Sequence, residues 1–338
     1  MTAPHDDTPA PPVTDTTPPP ARPGLGLIAD IGGTNARFAL VDDAGATLSP
    51  RTLLCADYDG PAEAAEAYLR EIEAHQPVNR GAFCAACPVL GDRVKLTNNP
   101  WDFSVDAVRR RLKLDRLEVV NDFVANALAV PHLGADDRVR VGGGPAVERL
   151  PVAVLGPGTG LGVALLVPLG GGKVMPVATE GGHVTMPART PREAEVLGVL
   201  RRRFDHVSAE RVISGSGLVN VYQAVCGLDG ATPDTDDPAE LGRRAAADED
   251  PRAREALDLM FAMLGTVAGN LALSSGALGG VAIMGGIVPR YLDLFQAGPF
   301  REAFEAKGRF RAYMRGIPVD VVTHAYPAFV GLAGLVRG

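Results

Sequence analysis

The segment Asp30-Ile-Gly-Gly-Thr-Asn35 combines an acid, two glycines and two polar side chains between two apolar runs. Glycines let a backbone approach a ligand closely and can turn its amides into an anion-binding concavity. Thr34 and Asn35 add hydrogen-bond donors, and the carboxylate of Asp30 suits magnesium, usually held through water. The segment therefore predicts a phosphate-binding turn with a metal-binding acid. A plain hairpin with a capping aspartate is the alternative, and the P-loop motif GxxxxGK[ST] is absent from the sequence.

Two further glycine-rich segments suit the same kind of ligand. Gly156-Pro-Gly-Thr-Gly-Leu-Gly162 lies between two apolar runs, where it could bind the other side of a phosphate chain. Gly285-Gly286 ends an apolar run and precedes a helical pattern with a proline near its start, which predicts a crevice for an adenosine. Tight connections that simply require glycine are the alternative for both segments.

Asn121-Asp122 stands where an apolar strand pattern changes into a helical one. Asn and Asp are favoured helix N-caps, so capping is one interpretation of this pair. A carboxylate at a strand end that faces a cleft is also where a general base is expected. Asp122 is therefore our candidate for a catalytic base.

Three more segments suit a polyhydroxylated ligand. Glu180-Gly-Gly-His183 lacks the paired histidines of a zinc helix, and its carboxylate and imidazole can make directional hydrogen bonds to hydroxyl groups. Glu210 follows Ser208 at the expected start of a helix, where it is either a first-turn acid or a second sugar-binding carboxylate. In "LTNNPWDFS", Asn98 precedes Asn99 and the only tryptophan, which predicts either a simple turn or a polar substrate loop.

The apolar runs around these segments predict the elements that position them. Strands are expected at 26–29, 36–41, 81–86, 118–120, 152–155, 162–167 and 280–284, and helices at 62–75, 105–112, 191–204, 209–224 and 254–274. This mixture predicts layered α/β architecture. "GTNARFALV" and "GTGLGVALLV" each follow an apolar strand, which suggests two related lobes around a cleft. Chance similarity between two common hairpins is the alternative.

Length and composition limit the class of protein. A chain of 338 residues is longer than one hydrophobic core usually serves, so two lobes are expected. The net charge of −7 argues against non-specific binding to nucleic acid or to acidic membranes. The uncharged stretches 150–172 and 261–289 are interrupted by glycine and proline, so neither predicts a membrane span.

The N-terminus and the cysteines bear on the compartment. Residues 1–24 contain eight prolines and few apolar residues, which predicts a disordered leader and no signal peptide. Cys84-Ala-Ala-Cys87 lies in an apolar run without the histidine or second pair that zinc would need. Buried free thiols are favoured over a functional pair, and they suit a cytoplasmic location.

In order along the chain, the motifs resemble those of the bacterial, proteobacterial-type glucokinase family from about residue 26 to the C-terminus. The similarity lies in "DIGGTNARFAL", "TNNPWDFS", "VVNDFVANALAVP", "GPGTGLGVA", "EGGHV", "HVSAERVISGSGLVNVY" and "GGIVPR". The family implies an actin-like, hexokinase-type fold in which two ribonuclease H-like lobes close over ATP and a sugar. The implied small lobe comprises residues 25–132 and 322–338, and the implied large lobe comprises residues 133–321.

The resemblance also implies a reaction, in which ATP phosphorylates glucose to glucose 6-phosphate. Asp122 is the implied catalytic base, and Asp30 is the residue implied to organise Mg²⁺. The implied substrate-binding residues are Asn98, Asn121, Asp122, Glu180, His183 and Glu210. The implied ATP-binding residues are Ala29, Asp30, Ile31, Gly32, Gly33, Thr34, Asn35, Gly158, Thr159, Gly160, Gly285 and Gly286. The family further implies a homodimer.

Other functions of the same fold are the alternatives. The nearest is a kinase for mannose, fructose or an amino sugar. The zinc-containing ROK kinases are disfavoured because their clustered cysteine motif is absent. A non-catalytic sugar sensor would usually need a helix-turn-helix segment, which the leader does not supply. An actin-like filament protein is disfavoured by the Glu180–His183 loop.

Overall fold

The structure, a computed structural model, describes residues 24–74 and 76–337, so the predicted leader up to residue 23 lies outside the described residues. Its strands are β1 (Leu25–Ile31), β2 (Asn35–Val41), β3 (Thr47–Leu54), β4 (Val78–Ala85), β5 (Arg93–Lys95), β6 (Asp102–Ser104), β7 (Arg116–Asn121), β8 (Arg138–Arg140), β9 (Val152–Pro157), β10 (Leu161–Gly170), β11 (Lys173–Thr179), β12 (Gly280–Ile283) and β13 (Val319–Val322). Its helices are α1 (Pro61–Glu71), α2 (Val105–Arg111), α3 (Asp122–Ala129), α4 (Pro191–Leu200), α5 (Gly215–Leu228), α6 (Pro238–Ala246), α7 (Pro251–Ser275), α8 (Ile287–Arg290), α9 (Leu292–Ala297), α10 (Phe300–Glu305), α11 (Arg311–Gly316) and α12 (Pro327–Arg337).

Five strands form the first sheet, in the order β3-β2-β1-β4-β7. Strands β1, β2 and β3 pair antiparallel, whereas β1, β4 and β7 run parallel. The parallel register places Ile31 opposite Ala85, and Ala85 opposite Asn121. These three strands therefore end together at one edge of the sheet, which is the edge that carries Asp30 and Asp122.

The second sheet repeats the order of the first. Strands β11-β10-β9-β12-β13 correspond to β3-β2-β1-β4-β7, and β8 adds an antiparallel edge strand beside β13. Strands β9, β10 and β11 again pair antiparallel, while β9, β12 and β13 run parallel. The short repeat seen in the sequence is thus the hairpin that opens each sheet, β1–β2 in one and β9–β10 in the other. Two sheets of the same strand order agree with the two ribonuclease H-like lobes that the resemblance implied.

Side chains alternate along β1, so the strand supplies apolar groups to both faces of the first sheet. Ala29 and Ile31 are fully buried in the core that also contains Trp101. Ile28, on the opposite face, is buried against Leu332 of α12. The same alternation puts Asp30 on the α12 face, at its open end.

Helix α3 joins the two sheets. Its Phe123 and Ala127 are buried together with Val154 of the second sheet, whereas its Ala125 is buried with residues of the first sheet and α12. A Cβ added to Gly162 of β10 would lie 1.8 Å from the Phe123 ring, so the close approach of α3 and β10 requires glycine there. Because Asp122 begins α3, this contact also positions the candidate base relative to the second sheet.

The C-terminal helix returns to the first sheet after the last strand of the second. Helix α12 packs against α3 and β1, and its Phe329 and Leu332 are buried. Strand β13, which precedes it, pairs with β12 and β8 in the second sheet. The exact division of the chain into 25–132 plus 322–338 and 133–321 stays a prediction.

The helix predicted at 209–224 is wrong at its start. Helix α5 begins at Gly215, because the Ser214 side chain caps it by accepting a hydrogen bond from the amide of Gly217 at 2.9 Å. The residues before it form turns, in which the amide of Glu210 donates to the carbonyl of Gly182 at 2.9 Å. Glu210 is therefore a turn residue and not a first-turn helical acid.

The sequence pattern misses six strands, β3, β5, β6, β8, β11 and β13, of which β3 and β11 are the outer strands beside β2 and β10. Nearly every residue of β3 is exposed, and no residue of β11 is fully buried. An edge strand that faces solvent on much of its surface needs no continuous apolar run, so it lacks the signal used to find the central strands. By contrast, the predicted helix at 105–112 matches α2, with Ser104 as its N-cap.

Within the described residues one helix, α7, is long and apolar enough to cross a membrane by length and composition. However, 72% of its most apolar window is buried inside the protein, as expected of a helix at the centre of a core. The four cysteines are buried free thiols, as predicted. Cys84 and Cys87 belong to cores on opposite faces of the first sheet, so their spacing does not form a thiol pair.

Candidate active site

Two carboxylates lie at the edge where β1 and β7 end. Asp30 is the penultimate residue of β1, and Asp122 directly follows the last residue of β7. Burial, together with the negative charge of Asp30, raises the pKa of Asp122 to about 6. A hydrogen bond of 3.0 Å from the amide of Phe123 to the Asp122 carboxylate opposes this rise. A carboxylate with a pKa of about 6 is suited to general-base catalysis near neutral pH.

Asp30 is the residue of its strand end that presents a side chain to the site, since Ala29 and Ile31 are fully buried in the core. Its Oδ1 accepts a hydrogen bond from the thiol of Cys84 at 3.5 Å, and its Oδ2 pairs with Nη1 of Arg37 at 3.3 Å. Both neighbours were missed in the motif analysis. The signal for Arg37 was available, because closing "DIGGTNAR" into an antiparallel hairpin sets Asp30 opposite Arg37.

Asn121 caps α3, as one of its two interpretations predicted. Its Oδ1 accepts a hydrogen bond from the amide of Phe123 at 2.9 Å, and its Nδ2 donates to the carbonyl of Cys87 at 3.3 Å. An amide oxygen has two acceptor lone pairs, so Oδ1 can accept one further hydrogen bond. The Asn121 side chain also hydrogen-bonds to the Asp122 carboxylate, which opposes the rise in the pKa of Asp122. Capping and ligand binding are therefore compatible at Asn121.

The segment 30–35 forms the turn of the β1–β2 hairpin, here called the first turn. The amide of Gly32 donates to the carbonyl of Asn35 at 2.9 Å and closes the turn. In the part of the chain that the structure describes, the amides of Gly33 and Thr34 donate to no other backbone group. These two amides, rather than that of Gly32, are thus available to an anion.

Residues 158–160 form the corresponding second turn, between β9 and β10. The amide of Gly158 donates to the carbonyl of Gly160 at 2.8 Å, whereas the amides of Thr159 and Gly160 have no backbone acceptor among the described residues. Gly285 lies against this turn with φ of +85°, and a Cβ added to it would be 2.4 Å from the carbonyl oxygen of Pro157. The predicted adenosine crevice therefore begins directly beside the second turn.

Gly286 forms the open part of this crevice. It is exposed, and a Cβ added to it would meet nothing within 4 Å. Helix α8 begins at the next residue, with Pro289 in its first turn, as the sequence predicted. Unlike Gly285, Gly286 is not required by packing against its neighbours.

Glu180 and His183 lie on the short 3₁₀ turn that follows β11. Both side chains are exposed, and Nε2 of His183 is 3.8 Å from Oε2 of Glu180. The thiol of Cys87 lies near both this loop and the candidate base. Burial raises the pKa of Cys87, and the charges of Asp122 and Glu180 raise it further. The two carboxylates therefore lie within electrostatic range of one thiol.

Glu210 lies between the Glu180–His183 loop and the second turn. Its Oε2 accepts a hydrogen bond from the amide of Leu161 at 2.9 Å, and its own amide donates to the carbonyl of Gly182 at 2.9 Å. The fold thus brings Glu210, which is distant in sequence from both segments, into contact with each of them.

The loop at 97–101 packs on the first turn, where its two asparagines have different roles. Asn98 is exposed, and its carbonyl oxygen would be 3.0 Å from a Cβ added to Gly33. Asn99 is buried, donates to the carbonyl of Gly32 at 3.4 Å and accepts from the amide of Trp101 at 2.9 Å. Asn99 holds the loop on the turn, whereas Asn98 is exposed.

The donors at this edge fit magnesium. Among the described residues no group of three or more His, Cys, Asp or Glu could hold a metal ion. Magnesium is usually bound by one or two carboxylates, waters and substrate phosphates, so a complete protein cage is not required. The charge of Asp30 raises the pKa of Asp122, and a cation held by Asp30 would weaken that effect.

Comparison with known proteins decides the family. A family model described as Glucokinase matches residues 27–338. The chain is 55% identical over 310 residues to a glucokinase of Paramagnetospirillum magneticum, covering 92% of this chain and 97% of the relative. The chain belongs to the glucokinase family. A second glucokinase, of Aromatoleum aromaticum, is 50% identical over 308 residues, which are 91% of this chain and 93% of the relative. As a member of the glucokinase family, the chain catalyses the ATP-dependent phosphorylation of glucose.

Solved structures of glucokinases show the same fold. A glucokinase from an Antarctic psychrotroph is 36% identical with a TM-score of 0.83, covering 93% of this chain and 98% of that one. A ROK family glucokinase from Streptomyces griseus is 22% identical with a TM-score of 0.63, covering 93% and 99%, and supports the fold alone. The predicted actin-like, hexokinase-type fold is confirmed.

Proposed function

We propose that Asp122 is the general base that accepts the proton of the 6-hydroxyl of glucose as that oxygen attacks the γ-phosphoryl group of ATP. The observation that carries this proposal is the position of Asp122 at the shared strand edge, beside Asp30 and with a pKa raised to about 6. Phosphoryl transfer depends mainly on positioning and on stabilisation of charge, so one positioned base and several oriented donors are sufficient protein groups.

The sugar hydroxyls are assigned to Asn98, Asn121, Glu180, His183 and Glu210. These side chains come from loops of both sheets, and Asn121 directly precedes the base. Carboxylate, amide and imidazole groups make directional hydrogen bonds, and a site built on such bonds rejects analogues that lack the matching hydroxyl. A glucokinase of Balamuthia mandrillaris has been solved with glucose, which agrees with a hexose as the ligand class.

The phosphates are assigned to the amides of Gly33 and Thr34 in the first turn and of Thr159 and Gly160 in the second. The adenosine is assigned to the crevice at Gly285 and Gly286. The ROK family glucokinase has been solved with glucose and AMPPNP, which agrees with a nucleotide as the second ligand.

The role assigned to Asp30 is to hold magnesium through water. One oxygen of Asp30 pairs with Arg37 and the other accepts from the thiol of Cys84, so the carboxylate is oriented before any ligand binds. Bound magnesium would neutralise charge on the phosphate oxygens. The chain's own groups would orient the two substrates and accept the proton.

The test is ADP release with Mg·ATP, measured with glucose, mannose, fructose and glucosamine. We expect turnover with glucose, and Asp122→Asn should lose a factor of about 10²–10⁴ while still binding both substrates. Turnover by Asp122→Asn close to that of the wild type would overturn the assignment of the base. Turnover that is faster with another sugar would change the assigned hydroxyl contacts but not the base.

We also propose a homodimer in the cytoplasm. Four buried free thiols suit a reducing compartment. The monomer has a mass of 35.2 kDa, so sedimentation equilibrium should give twice that value. A concentration-independent monomer mass would contradict the dimer, and recovery of the native protein outside the cytoplasm after cell fractionation would contradict the location.

A further inference from the structure

Glu210 connects the loop assigned to sugar with the turn assigned to ATP. Through its backbone it donates to the carbonyl of Gly182, in the Glu180–His183 loop, at 2.9 Å. Through Oε2 it accepts from the amide of Leu161, at the end of the second turn, at 2.9 Å. One residue therefore bonds to both segments.

The chain beyond Glu210 returns to the same turn. The Ser214 hydroxyl donates to the carbonyl of Glu210 at 2.8 Å, and the amide of Gly215 donates to the carbonyl of Gly158 at 2.9 Å. The second turn is thus attached at both of its ends, at Gly158 and at Leu161, to the segment that carries Glu210.

The contact leaves little free space. A Cβ added to Gly160 would lie 2.5 Å from Oε2 of Glu210, and a Cβ added to Gly182 would lie 2.1 Å from the carbonyl oxygen of Leu161. By contrast, a Cβ added to Gly158 would meet nothing within 4 Å. The Glu210 carboxylate therefore lies directly against the backbone of the second turn, where the amide of Leu161 holds it by a hydrogen bond.

We propose that Glu210 is a positioning residue that couples glucose binding to the conformation of the second turn. One carboxylate oxygen is fixed by the amide of Leu161, which leaves the other to accept a sugar hydroxyl. Sugar that binds to Glu210 orders the turn for the nucleotide, and nucleotide bound to the turn orders Glu210 for the sugar, because coupling between two sites is reciprocal. This inference rests on the proposed function, in which Glu210 contacts the sugar.

The first test measures glucose binding by calorimetry in the absence of nucleotide. In Gly160→Ala the new methyl group should displace the Glu210 carboxylate, so we expect glucose affinity to fall about tenfold, which corresponds to about 1.4 kcal/mol. Gly158→Ala is the matched control, because it alters the same turn without touching Glu210, and its glucose affinity should equal that of the wild type. If Gly160→Ala bound glucose as tightly as Gly158→Ala and the wild type do, the proposed coupling would be overturned.

The second test measures the affinity for AMPPNP with and without saturating glucose. The wild type should bind AMPPNP more tightly in the presence of glucose, and Glu210→Gln should lose most of that ratio. Glu180→Gln should weaken glucose binding but keep the ratio, because Glu180 has no contact with the second turn among the described hydrogen bonds. A wild-type ratio of one, or an unchanged ratio in Glu210→Gln, would overturn the proposal. Unchanged glucose affinity in Glu180→Gln would instead contradict the proposed sugar site.

Discussion

At the scale of single residues, the site depends on a carboxylate whose protonation is controlled by its surroundings. Asp122 is partly buried beside Asp30, and both effects favour its neutral form. The folded protein therefore keeps a base that is easily protonated, in a position where a hydroxyl proton must be accepted. This arrangement predicts a pH dependence of catalysis and an opposite pH dependence of stability.

The rate should rise with pH through about 6. The base acts in its ionised form, and the pKa of Asp122 is about 6, so kcat/KM for glucose should be low at pH 5 and level off above pH 7. Initial rates at saturating Mg·ATP across this range measure the profile. A flat profile from pH 5 to 7 would show that no group with this pKa limits the reaction.

The same group should reduce stability at neutral pH. A carboxyl whose pKa is raised on folding does not lower the free energy of unfolding when the pH is below its unfolded pKa near 3.8. As the pH rises from there through about 6, the group lowers the free energy of unfolding progressively. Asp122→Asn should therefore raise the free energy of unfolding at pH 8 by roughly 1–2 kcal/mol, with little effect at pH 4. Urea unfolding at the two pH values measures the difference, and an equal effect at both would contradict the linkage.

The two adjacent asparagines should respond differently to substitution. Asn99→Ala removes the hydrogen bonds to Gly32 and Trp101 from a buried position, so it should lower the free energy of unfolding by about 1–3 kcal/mol. Asn98→Ala, at an exposed position, should change stability by less than about 0.5 kcal/mol but raise KM for glucose. Unfolding and kinetic measurements on both variants test this, and equal stabilities would contradict the structural role of Asn99.

At the scale of elements, the contact between α3 and β10 determines where the base lies. Phe123 follows Asp122 and packs on the backbone of Gly162, with no room for another side chain. A strand of one sheet therefore fixes the start of the helix that carries the base, although that helix begins at the end of a strand of the other sheet. Packing at this point should affect both stability and rate.

Gly162→Ala should damage this contact. The added methyl group would overlap the Phe123 ring, and overpacking of this kind costs about 1–3 kcal/mol. Because α3 must shift, kcat should also fall. Gly198→Ala in α4 is the control, since its Cβ meets nothing within 4 Å and alanine favours a helix by about 0.5–1 kcal/mol. Normal stability and kcat in Gly162→Ala would contradict this account.

At the scale of the whole molecule, the C-terminal helix packs on the sheet that the N-terminal strands form. Helix α12 covers the face of the first sheet that contains Ile28, Ala82 and Cys84, although it follows the whole second sheet in the chain. One face of the first sheet is thus buried by a helix that lies about 300 residues after β1 in the sequence. Folding of this lobe should depend on the C-terminal helix.

Leu332→Ala tests the importance of that cover. Leu332 is fully buried, so truncation should lower the free energy of unfolding by about 2–5 kcal/mol. Leu90→Ala is the control, because Leu90 is 94% exposed and its truncation should change stability by less than about 0.5 kcal/mol. Similar urea midpoints for the two variants would show that α12 contributes little to the lobe.

Several features were determined by the sequence itself, because they depend on residues close together in the chain. Seven strands, β1, β2, β4, β7, β9, β10 and β12, follow from apolar runs, the start of α2 follows from Ser104, and both hairpins follow from the Gly-Thr turns. The strand-to-helix change at Asn121-Asp122 follows from local capping chemistry. The seven motifs in order were sufficient to identify the family.

The rest was decided by tertiary structure, because it depends on groups that are far apart in the chain. The raised pKa of Asp122 requires Asp30 on a different strand, and the turn conformation of Glu210 requires its bonds to Gly182 and Leu161. No local pattern distinguishes buried Asn99 from exposed Asn98. Edge strands such as β3 and β11 have no periodic apolar pattern, and no pattern in the sequence shows that Asp30 and Asp122 lie close together. Only the packing of the two sheets reveals which residues are in contact.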